Sequence, residues 1–192
     1  QQMVQLHGLL TDANLKALPA DQQSLILDAL KNTDKPADTL KHIKTLVANA
    51  DFTALPADSR IAVLSQLKNY PTARTAETFS RMVSADWFKG MDLDDRQRAS
   101  KILGYVAATG HDTPMQSTVN TNTVDKFLPP DGTYTFILDP IASSPGTITF
   151  GQAWGSNFQI NADLVKANNK PLRGGYAVHA ATNTMAHEVN HL

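Results

Sequence analysis

His187, Glu188 and His191 are the residues of this chain whose types and spacing can do chemistry. On an α-helix, positions four apart lie about 40° apart around the axis, so the two imidazoles can reach one metal ion from the same face. Glu188 then points beside them, where its carboxylate can take a proton from a metal-bound water instead of ligating the metal. The sequence holds six histidines and, as glutamates, only Glu77 and Glu188. Those frequencies give a chance match of roughly 0.2%, so the spacing stands well above accident.

A helix must position these groups, and the residues around them write one. Val178, Ala181, Met185, Val189 and Leu192 recur at spacings of three and four and form an apolar stripe. The two histidines fall about 160° from that stripe, beside Ala180 and Thr184, so one face meets a core and the other lines an open cleft. The stretch Thr184–Leu192, with His187-Glu-x-x-His191 at its centre, resembles the active-site helix of the zincin metallopeptidases. The resemblance implies Zn²⁺ as cofactor, His187 and His191 as zinc ligands, Glu188 as general base, and a protein or peptide as substrate. The competing reading is a surface helix with solvated histidines and an ordinary exposed acid. Zincins usually take a third protein ligand from beyond this helix, and here the sequence stops at Leu192, so that ligand is expected past Leu192. Within the chain its candidates are His179, Asp163 and Asp139. A continuous helix sets His179 about 12 Å along the axis, too far to share the ion.

The composition narrows the remaining classes. With 192 residues, 42% of them hydrophobic, the chain can bury a substantial core, and no apolar run approaches the ~18 residues of a membrane span. Net charge is −1 and Lys and Arg are scattered, which argues against nucleic acid or an anionic membrane as partner. There is no cysteine, so a transition-metal site must be built from His and carboxylates. Gln1-Gln-Met-Val-Gln-Leu-His7 lacks the basic and apolar segments of a signal peptide; both ends are expected to be cut from something longer.

From Thr11 to Thr109 the pattern is helical and repetitive. Ala17-Leu-Pro-Ala-Asp21 returns as Ala54-Leu-Pro-Ala-Asp58, and the 37-residue shift maps Ile26 onto Val63, Leu27 onto Leu64, and Leu30-Lys-Asn32 onto Leu67-Lys-Asn69. Pro19 and Pro56 are expected in the first turn of a helix, with Asp21 and Asp58 beside them, and Pro36 and Pro71 in the connections. Leu40, Ile43, Leu46 and Val47 form a second helix, as do Ala76, Phe79, Met82 and Val83. A looser third copy runs through Asp86-Trp-Phe88 and Asp94 to Leu103. Scaffolding is the plain role for such repeats, and a docking surface for a partner the functional one. Trp87 and Phe88 are expected in the core; His42 is expected to be solvated, and His7 and His111 have no partner pattern.

After Gly110 a stretch rich in Thr, Asn, Ser and Gln reads as a linker. The turn Pro129-Pro-Asp-Gly132 precedes a strand at Thr133–Leu138, Ser144-Pro-Gly146 precedes one at Thr147–Phe150, and Phe158–Ile160 reads as a third. The last two are candidate edges for an extended peptide. The expected architecture is α+β: a helical-hairpin repeat region at 1–112, then a small sheet and the zincin-type helix at 113–192, the N-terminal part of a zincin-like domain. A helical array joined to such a core is similar to secreted bacterial effectors and toxins. The alternative function is a helical-repeat interaction module whose metal site is structural or degenerate.

Overall fold

Local signals start most of the helices, beginning with Asp12, whose carboxylate accepts from the amides of Asn14 and Leu15 at 3.0 Å each. The Asn49 side chain accepts from Asp51 N and the Thr72 hydroxyl from Thr75 N, and an N-cap of this kind is worth about 1 kcal/mol. The computed structural model of the chain describes residues 11–109, 124–142, 144–147 and 149–164. Those caps open α1 (Ala13–Lys16), α4 (Ala50–Ala54) and α6 (Ala73–Met82). Between and after them lie α2 (Ala20–Lys31), α3 (Pro36–Ala48), α5 (Ala57–Asn69), α7 (Asp86–Lys89) and α8 (Leu93–Thr109). Pro19 and Pro56 sit one residue earlier than the sequence suggested, as N-caps with ψ of 152° and 150°, because the residue itself is extended while its carbonyl already feeds the helix. Pro36 likewise differs from expectation: it is the first residue of α3, where its missing N–H costs nothing. Pro71 does lie between helices.

Two positions 37 residues apart make matching hydrogen bonds. Gln23 donates from Nε2 to Lys16 O and Leu18 O; 37 residues on, an Arg60 guanidinium nitrogen donates to Thr53 O and Leu55 O. Arg96 then donates to Lys89 O at 2.7 Å, again seven residues back. Each bond closes the end of a short helix that has too few turns to satisfy its own last carbonyls. The long helices stack in two rows, α2 on α5 on α8 and α3 on α6, with α6 also against α8. Ile26, Leu30, Ile43, Val63, Leu67, Phe79, Met82 and Leu103 fill the space between them. Burying each contributes about 1.5–3 kcal/mol against its exposure in the unfolded chain.

The sheet contains β1 (Thr135–Asp139), β2 (Gly151–Trp154) and β3 (Asn157–Asn161) in the order β1-β3-β2. β1 runs parallel to β3 with Phe136 opposite Phe158, and β2 antiparallel with Gly151 opposite Ile160. Two sequence expectations are corrected here. The second strand is Gly151–Trp154, not Thr147–Phe150, because Gly155, at φ +54°, makes the reversal and pairing zips outward from Trp154 and Asn157. Phe158–Ile160 is no edge, since β3 is paired on both sides.

One hydrophobic cluster runs from the helices into the sheet. Phe136 stacks on Phe158 at 5.6 Å, Phe127 packs on both, and Trp87 lies 5.3 Å from Phe136 while its indole N–H donates to Phe127 O. Phe88 is fully buried and Trp87 half-buried, in the core as expected. Arg81 grips the segment before the sheet: Nε donates to Pro129 O, one terminal nitrogen to Leu128 O and the other to Asp125, whose carboxylate also takes Arg74. Gly132 closes that turn against Leu128 O; a Cβ there would lie 2.4 Å from Leu128 N.

Candidate functional site

The catalytic and metal-binding candidates His187, Glu188 and His191 lie outside the described residues, as do His179, His7, His111 and the stretch beyond Gly110 read as a linker. The chain reaches them from one end of the sheet. Because β1 and β3 are parallel, their carboxyl ends coincide, and the register puts Asp139 opposite Asn161. Asp163 follows two residues later in a 3-10 turn (Ala162–Leu164). The two aspartates proposed as third ligands therefore stand at the same end, both exposed. Among the described residues, no three His, Asp or Glu side chains converge on one point.

That end of the sheet is acidic. Asp139 is close enough to the start of α8 for its charge to act on Asp95, which Asp92 precedes, and the Asp95 carboxyl is pushed above its ordinary range. Burial is the largest cause, a hydrogen bond from Arg98 at 2.8 Å opposes it, and the charges of Asp92 and Asp139 add to the rise. A cation arriving here would meet oxygen donors and a negative potential. Two imidazoles with one such carboxylate form a donor set whose chemistry suits zinc.

Three polar side chains order the face of the sheet turned away from the helices. Gln152 donates to Gln159 Oε1 at 2.8 Å, and Gln159 donates to Asp139 O. Asn161, 3% exposed, accepts from Ile141 N and Asp163 N and donates to Ile141 O and Thr149 O. Sequence reasoning passed over these residues. Their alternation with Phe158 and Ile160 was readable as a polar face, yet period two says nothing of whether that face is buried.

β2 is an edge strand that pairs with β3 alone among the described strands. Phe150 and Trp154 flank it at 38% and 46% exposure, the described large apolar side chains most open to solvent. At the far end of the molecule, Asp12, Asn14, Lys44, Thr45, Ala48 and Asn49 line a shallow depression, but Asp12 and Asn49 already use their polar atoms as helix caps. His42 is half-buried on α3 and belongs to no group of three His, Asp or Glu side chains among the described residues. No helix among the described residues is long and apolar enough to cross a membrane. Comparison with protein-family models, curated proteins and solved structures finds no match to this chain.

Proposed function

We propose that this chain belongs to a zinc-dependent peptidase of the zincin kind, in which His187 and His191 hold the metal and Glu188 is the general base. The observation that carries the proposal is the His187-Glu188-x-x-His191 spacing on a stretch whose apolar residues follow the helical period. Zinc held by His187 and His191 would supply a water of near-neutral pKa and polarise the substrate carbonyl. Glu188 would take that water's proton as its oxygen bonds to the carbonyl carbon and pass it to the amine as the C–N bond breaks. Asp139 and Asp163, exposed at the end of the sheet from which the chain runs on to the motif, are the candidates for a third ligand within the described residues. The edge of β2, unpaired among the described strands, offers main-chain donors and acceptors to an extended peptide, with Phe150 just before it and Trp154 at its end as apolar contacts. Residues 11–109, read as helix-pair repeats, are the scaffold behind that edge; a helical array joined to such a core is similar to secreted bacterial effectors and toxins.

A second reading is favoured by the recurring caps and seven-residue back-bonds of the helices: a repeat module that docks a partner protein, with a structural or degenerate metal site. Metal analysis and hydrolysis of an unfolded protein separate the two. For the peptidase, His187→Ala loses zinc, whereas Glu188→Gln keeps most of it and loses hydrolysis. Equal zinc loss in both would make Glu188 a ligand and not a base. A wild-type chain that takes up no zinc and cleaves nothing would leave the docking module.

A further inference from the structure

The order β1-β3-β2 forces the chain leaving β1 to cross over the end of β3 before it can start β2. Asn161 is the residue at that end. Its side chain holds both sides of the crossing: Ile141 N at 3.2 Å and Ile141 O at 3.4 Å where the loop departs, Thr149 O at 2.9 Å where it arrives. Its own amide donates to Phe150 O at 2.9 Å, one residue before β2, and its carboxamide oxygen also takes Asp163 N at 3.1 Å. One buried side chain thus ties together the two ends of the crossing and the point where the chain departs.

The tie sets the register of β2. With Thr149 O held by the Asn161 side chain and Phe150 O by the Asn161 main-chain amide, Gly151 must meet Ile160 and Ala153 must meet Phe158, so the two small residues face the aromatic cluster. Gln152 and Trp154 then take the other face. A slip of one residue would exchange the two sets and press Trp154 into space that Ala153 now occupies. Asparagine suits the position because it needs two acceptor sites and two donors at once, which neither Asp nor Leu, its nearest isosteres, can supply.

We infer that Asn161 is the positioning residue for extended-peptide binding: by holding the crossing loop over β3 it fixes which face and which main-chain groups of β2 meet an incoming strand. The peptide as ligand rests on the peptidase reading, but the holding of β2 does not. Replacing Asn161 by Asp keeps the acceptors for Ile141 N and Asp163 N and sets a carboxylate against Ile141 O and Thr149 O. The arrival of the loop at Thr149 is released, while the main-chain bond to Phe150 O and the departure at Asp163 stay tied.

Binding of fluorescein-labelled casein, an unfolded protein, to the full chain carrying Glu188→Gln tests this without cleavage. Adding Asn161→Asp is expected to weaken binding about tenfold, with amide exchange at Ile141 and Asp163 still slow and exchange in β2 fast. In the hydrolytically competent chain the same substitution raises KM by a similar factor and leaves kcat and zinc content unchanged. Arg60→Ala, which loosens a helix end far from the sheet, serves as the destabilised control and leaves binding as it was. Unchanged binding in Asn161→Asp, an equal loss in Arg60→Ala, or no binding of casein by the Glu188→Gln chain each overturns the positioning role. Hydrolysis by the wild-type chain reports separately on the peptidase reading. A chain that binds casein through Asn161 but cleaves nothing would keep this inference and discard that one.

Discussion

Polar side chains between Thr11 and Thr109 mostly bond to backbone within a turn or two of themselves, whereas those that hold the sheet reach across the chain. Asp12 caps Leu15 three residues on, and Gln23 and Arg60 reach back five and seven. Arg81 instead reaches Pro129 over 48 residues, Trp87 reaches Phe127 over 40, and Asn161 reaches Ile141 over 20. Local bonds form while the rest of the chain is loose; distant ones require loops to close first and so depend on the whole fold. The helices can therefore absorb the loss of one tie, and the sheet, with three short strands, cannot.

The largest break in that comparison is expected from the aromatic cluster. Phe136→Ala removes the ring that touches Trp87, Phe127 and Phe158 and should cost about 3–5 kcal/mol. Hydrogen exchange would show protection lost through Thr135–Asn161 first, with helical circular dichroism largely kept. Simultaneous loss of both signals would show the two regions to be one cooperative unit. Next comes Arg81→Ala, which orphans Leu128 O, Pro129 O and one side of Asp125, at about 2–3 kcal/mol by urea unfolding.

Arg60→Ala cuts two bonds to carbonyls that water can partly replace, and about 1 kcal/mol is expected. If it costs as much as Arg81→Ala, the contrast between local and distant ties is wrong. The smallest effect carries the opposite sign. Lys101 on α8 is buried, and burial pushes its amine below the ordinary lysine range. The charged form is then the one that folding penalises, so the penalty is in force at neutral pH and fades as pH rises through the lysine range. Lys101→Met keeps the stem and should raise stability by about 1 kcal/mol at pH 7, or about 2–4 °C in Tm. That gain should shrink above about pH 10.

Much of the helical region was legible in the residues alone. The helical stretches that follow the two Ala-Leu-Pro-Ala-Asp segments and the stripes through Ile43 and Phe79 rest on contacts three or four residues apart, which a reader of the sequence can count. Pro19 and Pro36 were misplaced by a residue or so, since proline is accepted at either of the first positions and neighbours decide which. The candidates His187, Glu188 and His191 rest on the same short range, since the chemistry proposed for them needs only the right groups within about one helical turn; they lie outside the described residues.

The sheet divides differently. That strands lie near Thr135 and Phe158 follows from β-branched and aromatic runs between turn signals, and the mixed α+β class follows with it, whereas the run Thr147–Phe150 stops just before the strand that forms at Gly151–Trp154. Which strand lies in the middle does not, because a strand's partner is chosen by what covers its two faces and by where a crossing loop can be held. Only the tertiary structure decided that Phe158–Ile160 is central, that the exposed edge falls to Gly151–Trp154, and that Asn161 is buried beneath the crossing. Side-chain alternation gives each strand two faces, but pairing energy depends on residues tens of positions away, and no local pattern carries that information.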